Sequence, residues 1–115
     1  MPRASESTGS ERRVFARVPY RIPCAFKHQG ARLGGIVTDV AARGIFVESS
    51  HRIPPGTELR FVLRDPRGAY DVTGRVVREK RSHRSARQVV SGGFSVRLDV
   101  IPEPFFQLLV ELGLG

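Results

Sequence analysis

Between Tyr20 and Val100, apolar residues recur at every second position in six segments separated by turn-forming residues. Tyr20, Ile22, Cys24 and Phe26 alternate with Arg21, Pro23, Ala25 and Lys27. Leu59, Phe61 and Leu63 alternate with Glu58, Arg60 and Arg64, and Phe94, Val96, Leu98 and Val100 alternate with Ser95, Arg97 and Asp99. A period of two puts one set of side chains on one face of an extended strand and the other set on the opposite face. Strands with one apolar face pair antiparallel around a shared core, and a small barrel or sandwich leaves few free edges. The fold class that follows is all-β: a small six-stranded antiparallel barrel, with a short C-terminal helix.

The turns punctuate this pattern. Gln29-Gly30 leads from the first strand into a second over Ala31 to Val40, where Gly34-Gly35 suggests a bulge or sharp coiling. Pro23 cannot donate to a ladder, which predicts an edge strand or one broken by a bulge. A third strand covers Gly44 to Ser49, with Ile45 and Val47 on one face and Phe46 on the other. Ile53-Pro54-Pro55-Gly56 turns the chain into a strand over Thr57 to Arg64. Asp65-Pro66-Arg67-Gly68 then closes a hairpin with Ala69 to about Lys80, and the last strand runs from Val89 to Val100. After Pro102 and Pro104 the period changes: Phe105, Leu108, Leu109 and Leu112 stand at i, i+3, i+4 and i+7. That is an amphipathic helix from near Pro104 to Gly113, too short to stand alone, whose apolar stripe must dock on the barrel mouth or on a partner.

At 115 residues the chain suits one core. The expected organisation is a tail over 1–10, a basic arm over 11–19, a barrel over 20–101 and the helix over 102–115. No apolar run is long enough to insert in a membrane, and Met1 to Ser7 lack the apolar core of a signal peptide, so a cytoplasmic location is expected. One cysteine, Cys24, excludes an internal disulfide and falls on an apolar face, as a small core filler does. The net charge of +8 favours polyanions without choosing among them. Arg75, Arg78, Lys80, Arg81, Arg84 and Arg87 crowd one segment, read over Arg81 to Gln88 as an exposed loop. His28, His51 and His83 lack metal-ligand spacing, and no Ser, His and Asp arrangement or phosphate-cradling glycine loop is suggested, so neither an enzyme nor a metal site is expected.

Two short motifs carry ligand chemistry. Arg13 and Arg17, preceded by Arg12, lie just ahead of the first strand, and Asp39, Ala41 and Gly44 lie at the turn from the second strand to the third. An arginine fork can donate two parallel hydrogen bonds to guanine O6 and N7, or grip a phosphate. A carboxylate only accepts, and so can read the N–H donors on the opposite guanine edge. Gly44 would supply a positive φ or close backbone approach to a ligand. Turns of this form also join strands in barrels that bind nothing.

In order and spacing, Arg13-x-x-x-Arg17 followed by Asp39-x-Ala41-x-x-Gly44 resembles the PilZ family of cyclic di-GMP receptors, whose pattern is R-x-x-x-R and then [D/N]-x-S-x-x-G. The likeness runs from about Glu11 to Val100 and takes in the Pro54-Pro55-Gly56 turn and the Gly74 to Val77 strand. It departs at Ala41, where the family has serine. The resemblance implies cyclic di-GMP as ligand: Arg13 and Arg17 would contact guanine and phosphate with help from Arg12, Asp39 would accept from guanine, and Gly44 would keep the turn open. It further implies bacterial second-messenger signalling of the kind that governs motility, an arm that closes over the dinucleotide, an unidentified protein partner, and a monomer or weak dimer. Ala41 leaves a second reading open, a degenerate PilZ-like adaptor that binds protein and no nucleotide. A nucleic-acid-binding barrel has the charge but lacks exposed, interleaved aromatics.

Overall fold

The computed structural model describes residues 16–81 and 92–114. The strands are β1 (Arg17–His28), β2 (Ala31–Ala41), β3 (Gly44–Glu48), β4 (Glu58–Asp65), β5 (Gly68–Arg81) and β6 (Gly92–Val100), followed by helix α1 (Glu103–Glu111). They close into an antiparallel barrel in the order β1-β2-β3-β6-β5-β4, with β4 returning to β1. The expected fold class is therefore the observed one.

Local chemistry sets the hairpins. Gln29 and Gly30 both take positive φ, 53° and 82°, the backbone of a two-residue turn whose twist matches its flanking strands. Gly68 and Gly56 are also left-handed, at φ 146° and 93°. The inward residues of the alternating pattern make one core, in which Phe26, Phe61 and Phe94 meet with ring centroids 5.3, 5.7 and 6.4 Å apart. Burying each such ring contributes about 1.5–3 kcal/mol. Cys24 lies in this core, and burial pushes its thiol up to about 11, leaving it protonated at neutral pH.

Helix α1 docks on the barrel through Phe105, Leu108 and Leu109, and Phe105 meets Tyr70 of β5 edge-on at 5.4 Å. It ends as the sequence leads one to expect. Gly113 takes φ 83° and its N–H donates to the Val110 carbonyl, while Leu114 N–H donates to Leu109 at 2.8 Å, a Schellman closure. Arg67, in the β4–β5 turn, pairs with Glu111 and ties that hairpin to the helix. Beneath the same hairpin, the buried Asp65 carboxylate accepts hydrogen bonds from the hydroxyls of Tyr20 and Tyr70, each at 3.1 Å. Burial, reinforced by those bonds, raises both phenols above their ordinary value.

Four local expectations are corrected. There is no register shift at Gly34-Gly35; Gly35 serves close packing, since a Cβ there would lie 2.9 Å from a Val47 methyl. Of the two alternatives for the strand holding Pro23, the edge is not observed, since β1 bonds to both neighbours with Pro23 one residue before the β4 ladder begins at Cys24, whereas a bulge is, between Pro19 and Ile22. Val100 is 60% exposed, because the register slips between Thr73 and Gly74 where β6 leaves the barrel. Arg17, expected in the arm, is the first residue of β1, paired with Ala41. The expectations for Met1 to Ser10, Arg12, Arg13 and residues 82–88 fall outside the described residues.

Candidate functional site

The β2–β3 hairpin is tight: Ala41 pairs with Gly44 across Ala42 and Arg43. Strict alternation from the buried Val37 would send Asp39 into the core, where an unpaired carboxylate is prohibitively costly. A bulge prevents this. The register passes from Val37↔Val47 to Asp39↔Phe46, which leaves Thr38 as an extra residue. Val37 and Val40 both remain buried, and Asp39 stays half-buried on the outer wall. Bulges next to sites re-aim a side chain in this way.

Outside the bulge lies a cavity of about 120 Å³ lined by Arg17, Asp39, Ala41, Gly44, Ile45, Phe46, Ser95 and Val96. The register explains its composition. Arg17, Ala41, Gly44 and Arg97 lie in one row across β1, β2, β3 and β6, and Pro19, Asp39, Phe46 and Ser95 lie in the next. The structure thus brings together Arg17, Asp39, Ala41 and Gly44. Among the described residues, neither Arg17 nor Asp39 has a hydrogen-bonded or ionic side-chain partner. A cationic fork, a free carboxylate and the half-buried ring of Phe46 therefore border one depression. Such a set can grip a phosphate or a guanine edge while offering an aromatic face to a base.

Of the two roles expected of Gly44, the positive φ is not observed. A Cβ there would lie 2.9 Å from the Val96 carbonyl oxygen, so the glycine permits β3 and β6 to approach. Ile45, Phe46, Ser95 and Val96 were missed as lining residues. Phe46 could have been found from its outward place opposite Ile45 and Val47, but Ser95 and Val96 required knowing that β6 lies beside β3.

A family model described as PilZ domain matches residues 11–112. The chain belongs to the PilZ domain family. PilZ domains are receptor or adaptor domains of cyclic di-GMP signalling. Two solved structures share the fold. The first is the PilZ domain with c-di-GMP of YcgR from Escherichia coli, at TM-score 0.65, 12% identity and 84% coverage of each chain. The second is the Bacillus subtilis inhibitor of motility (MotI/DgrA), at TM-score 0.66 and 16% identity, covering 84% of this chain and 46% of that one. A comparison with curated proteins gives no match. No described helix is long and apolar enough to cross a membrane.

Proposed function

We propose that this PilZ domain is a cytoplasmic receptor for cyclic di-GMP in which the arginine-bearing segment ahead of β1, over 11–16, closes on the dinucleotide against Arg17 and so presents a surface to a partner protein. The observation that carries this reading is the Thr38 bulge, which turns Asp39 outward into the depression that Arg17 borders. At about 120 Å³ the depression is smaller than the roughly 300–1,000 Å³ of whole-ligand pockets, so it suits one part of a dinucleotide. Arg12 and Arg13, with Arg17, would hold the remainder. Guanine would set its N–H edge against Asp39 and its N7 edge against an arginine fork, with phosphate taken by the other arginines.

The family's serine position lines the same depression as Ala41, and that favours weighing the second reading, an adaptor that binds no nucleotide. Against it, Ser95 offers a hydroxyl on the β6 wall of this depression, paired with Phe46, which in turn pairs with Asp39. Calorimetric titration of the full chain with cyclic di-GMP separates the two. The receptor reading expects saturable heat whose affinity Arg17→Ala weakens roughly tenfold or more, and the adaptor reading expects none at large ligand excess.

A further inference from the structure

A second concavity, about 260 Å³, lies on the outer wall and is lined by Ala25, Phe26, Lys27, Arg32, Arg60 and Val62. It is distinct from the depression at Asp39. The two share no lining residue, and Arg17 and Lys27 stand ten positions apart on β1, about 33 Å along a strand.

Its shape follows from the register. Ala25 pairs with Gly34 on one side and Val62 on the other, so an outward row of small apolar positions crosses three strands. Two residues along β1, Lys27 pairs with Arg32, and Arg60 stands one step beyond the Phe26–Phe61 pair, which brings it beside Lys27. Three exposed cations from β2, β1 and β4 therefore form a line about 10 Å long against an apolar floor. Like charges directly opposite one another destabilise a sheet. Among the described residues no carboxylate pairs with any of the three.

We infer that this groove is a docking site for an acidic segment of a partner protein, one that lays an aliphatic or aromatic side chain on the Ala25–Val62 floor and sets carboxylates against Arg32, Lys27 and Arg60. Charge complementarity selects the partner: the row is uncompensated, and the whole chain carries +8. The floor selects protein over nucleic acid, because a phosphate backbone has nothing apolar to place there and Phe26, 2% exposed, offers no ring for base stacking. A concave groove also fits a projecting side chain better than the plane of a lipid surface.

The test pans a displayed library of random short peptides against the full chain and measures the winners by fluorescence anisotropy. The selected peptides should be rich in Asp and Glu around one large apolar residue. They should bind roughly tenfold or more weakly to the double variant Lys27→Gln/Arg60→Gln, and more weakly still to Lys27→Glu/Arg60→Glu. All these substitutions are at exposed positions, and unchanged melting curves confirm that the fold is kept. Arg17→Ala should leave peptide binding intact, so a failure of the cyclic di-GMP reading leaves this one standing. The inference is overturned by selected peptides without acidic enrichment, or by equal binding to the substituted proteins. Tighter binding of oligothymidylate or of phosphatidylglycerol vesicles, lost in the same variants, overturns it as well.

Discussion

Replacing Gly44 with alanine tests how the candidate site is built. The new Cβ would sit 2.9 Å from the Val96 carbonyl oxygen, where ordinary contact begins at 3.4 Å, and the obstacle is backbone, which cannot rotate away. β6 is also held in place, since Val96 is 2% exposed and the Leu98 N–H donates to the Arg43 carbonyl at 2.9 Å. Relief requires the strands to part by roughly half an ångström in a close-packed core. Overpacking of this kind costs about 1–3 kcal/mol, or about 5–15 °C in Tm for a domain of this size. Gly34→Ala is the control. Its Cβ would meet only the Cys24 carbonyl at 3.8 Å, and alanine in a strand is favoured over glycine by about 0.5–1 kcal/mol. Urea unfolding followed by circular dichroism should show a lower midpoint for Gly44→Ala and an unchanged or higher one for Gly34→Ala. A Gly44→Ala protein as stable as the parent that nevertheless loses ligand would refute the packing argument and return the glycine to the role of admitting a ligand.

Arg17→Ala should weaken cyclic di-GMP binding by roughly tenfold to a hundredfold in calorimetry, the loss of a charge-assisted contact of about 1.5–3 kcal/mol, with the fold retained. Arg17→Lys should not rescue it, since an ammonium cannot reproduce the planar fork. Ala41→Ser should tighten binding by up to roughly tenfold without moving the unfolding midpoint, and a weakened affinity would contradict placing this turn against the ligand. Alkaline titration probes the hairpin network. Tyr20 and Tyr70 have raised values when folded, so their contribution is whole below the ordinary tyrosine value of about 10 and is lost as pH climbs through the folded values. Asp65→Asn should change the shape of that alkaline decline in Tm, and an identical profile would show that the carboxylate does not govern the phenols.

Much of this fold was legible because burial writes a period of two into a strand. Ile22, Cys24 and Phe26, or Leu59, Phe61 and Leu63, declare their inward face without help from distant residues. Gln29-Gly30 and Gly113 were equally legible, since their left-handed backbone is a local requirement. What could not be read is pairing. β3 bonds to β6, about fifty residues later, and not to β4, and nothing local to either strand states this. Ser95 entered the site for that reason. The cation row has the same origin: Lys27, Arg32 and Arg60 form no run in sequence, whereas the crowded segment after Arg75 drew attention by composition alone. The bulge at Thr38 was also missed, because Val37-Thr38-Asp39-Val40 reads as regular strand until the buried neighbours of both valines are known.

Under the proposed function, cyclic di-GMP binds where the bulge presents Asp39. The most direct measurement is amide chemical-shift mapping of the isotope-labelled full chain during titration with cyclic di-GMP. Saturable shifts at Arg17, Asp39, Ala41, Gly44, Phe46 and Ser95, with Lys27, Arg32 and Arg60 unmoved, are the predicted result. Saturable shifts centred on that second groove, or none at any position under large excess, would contradict it.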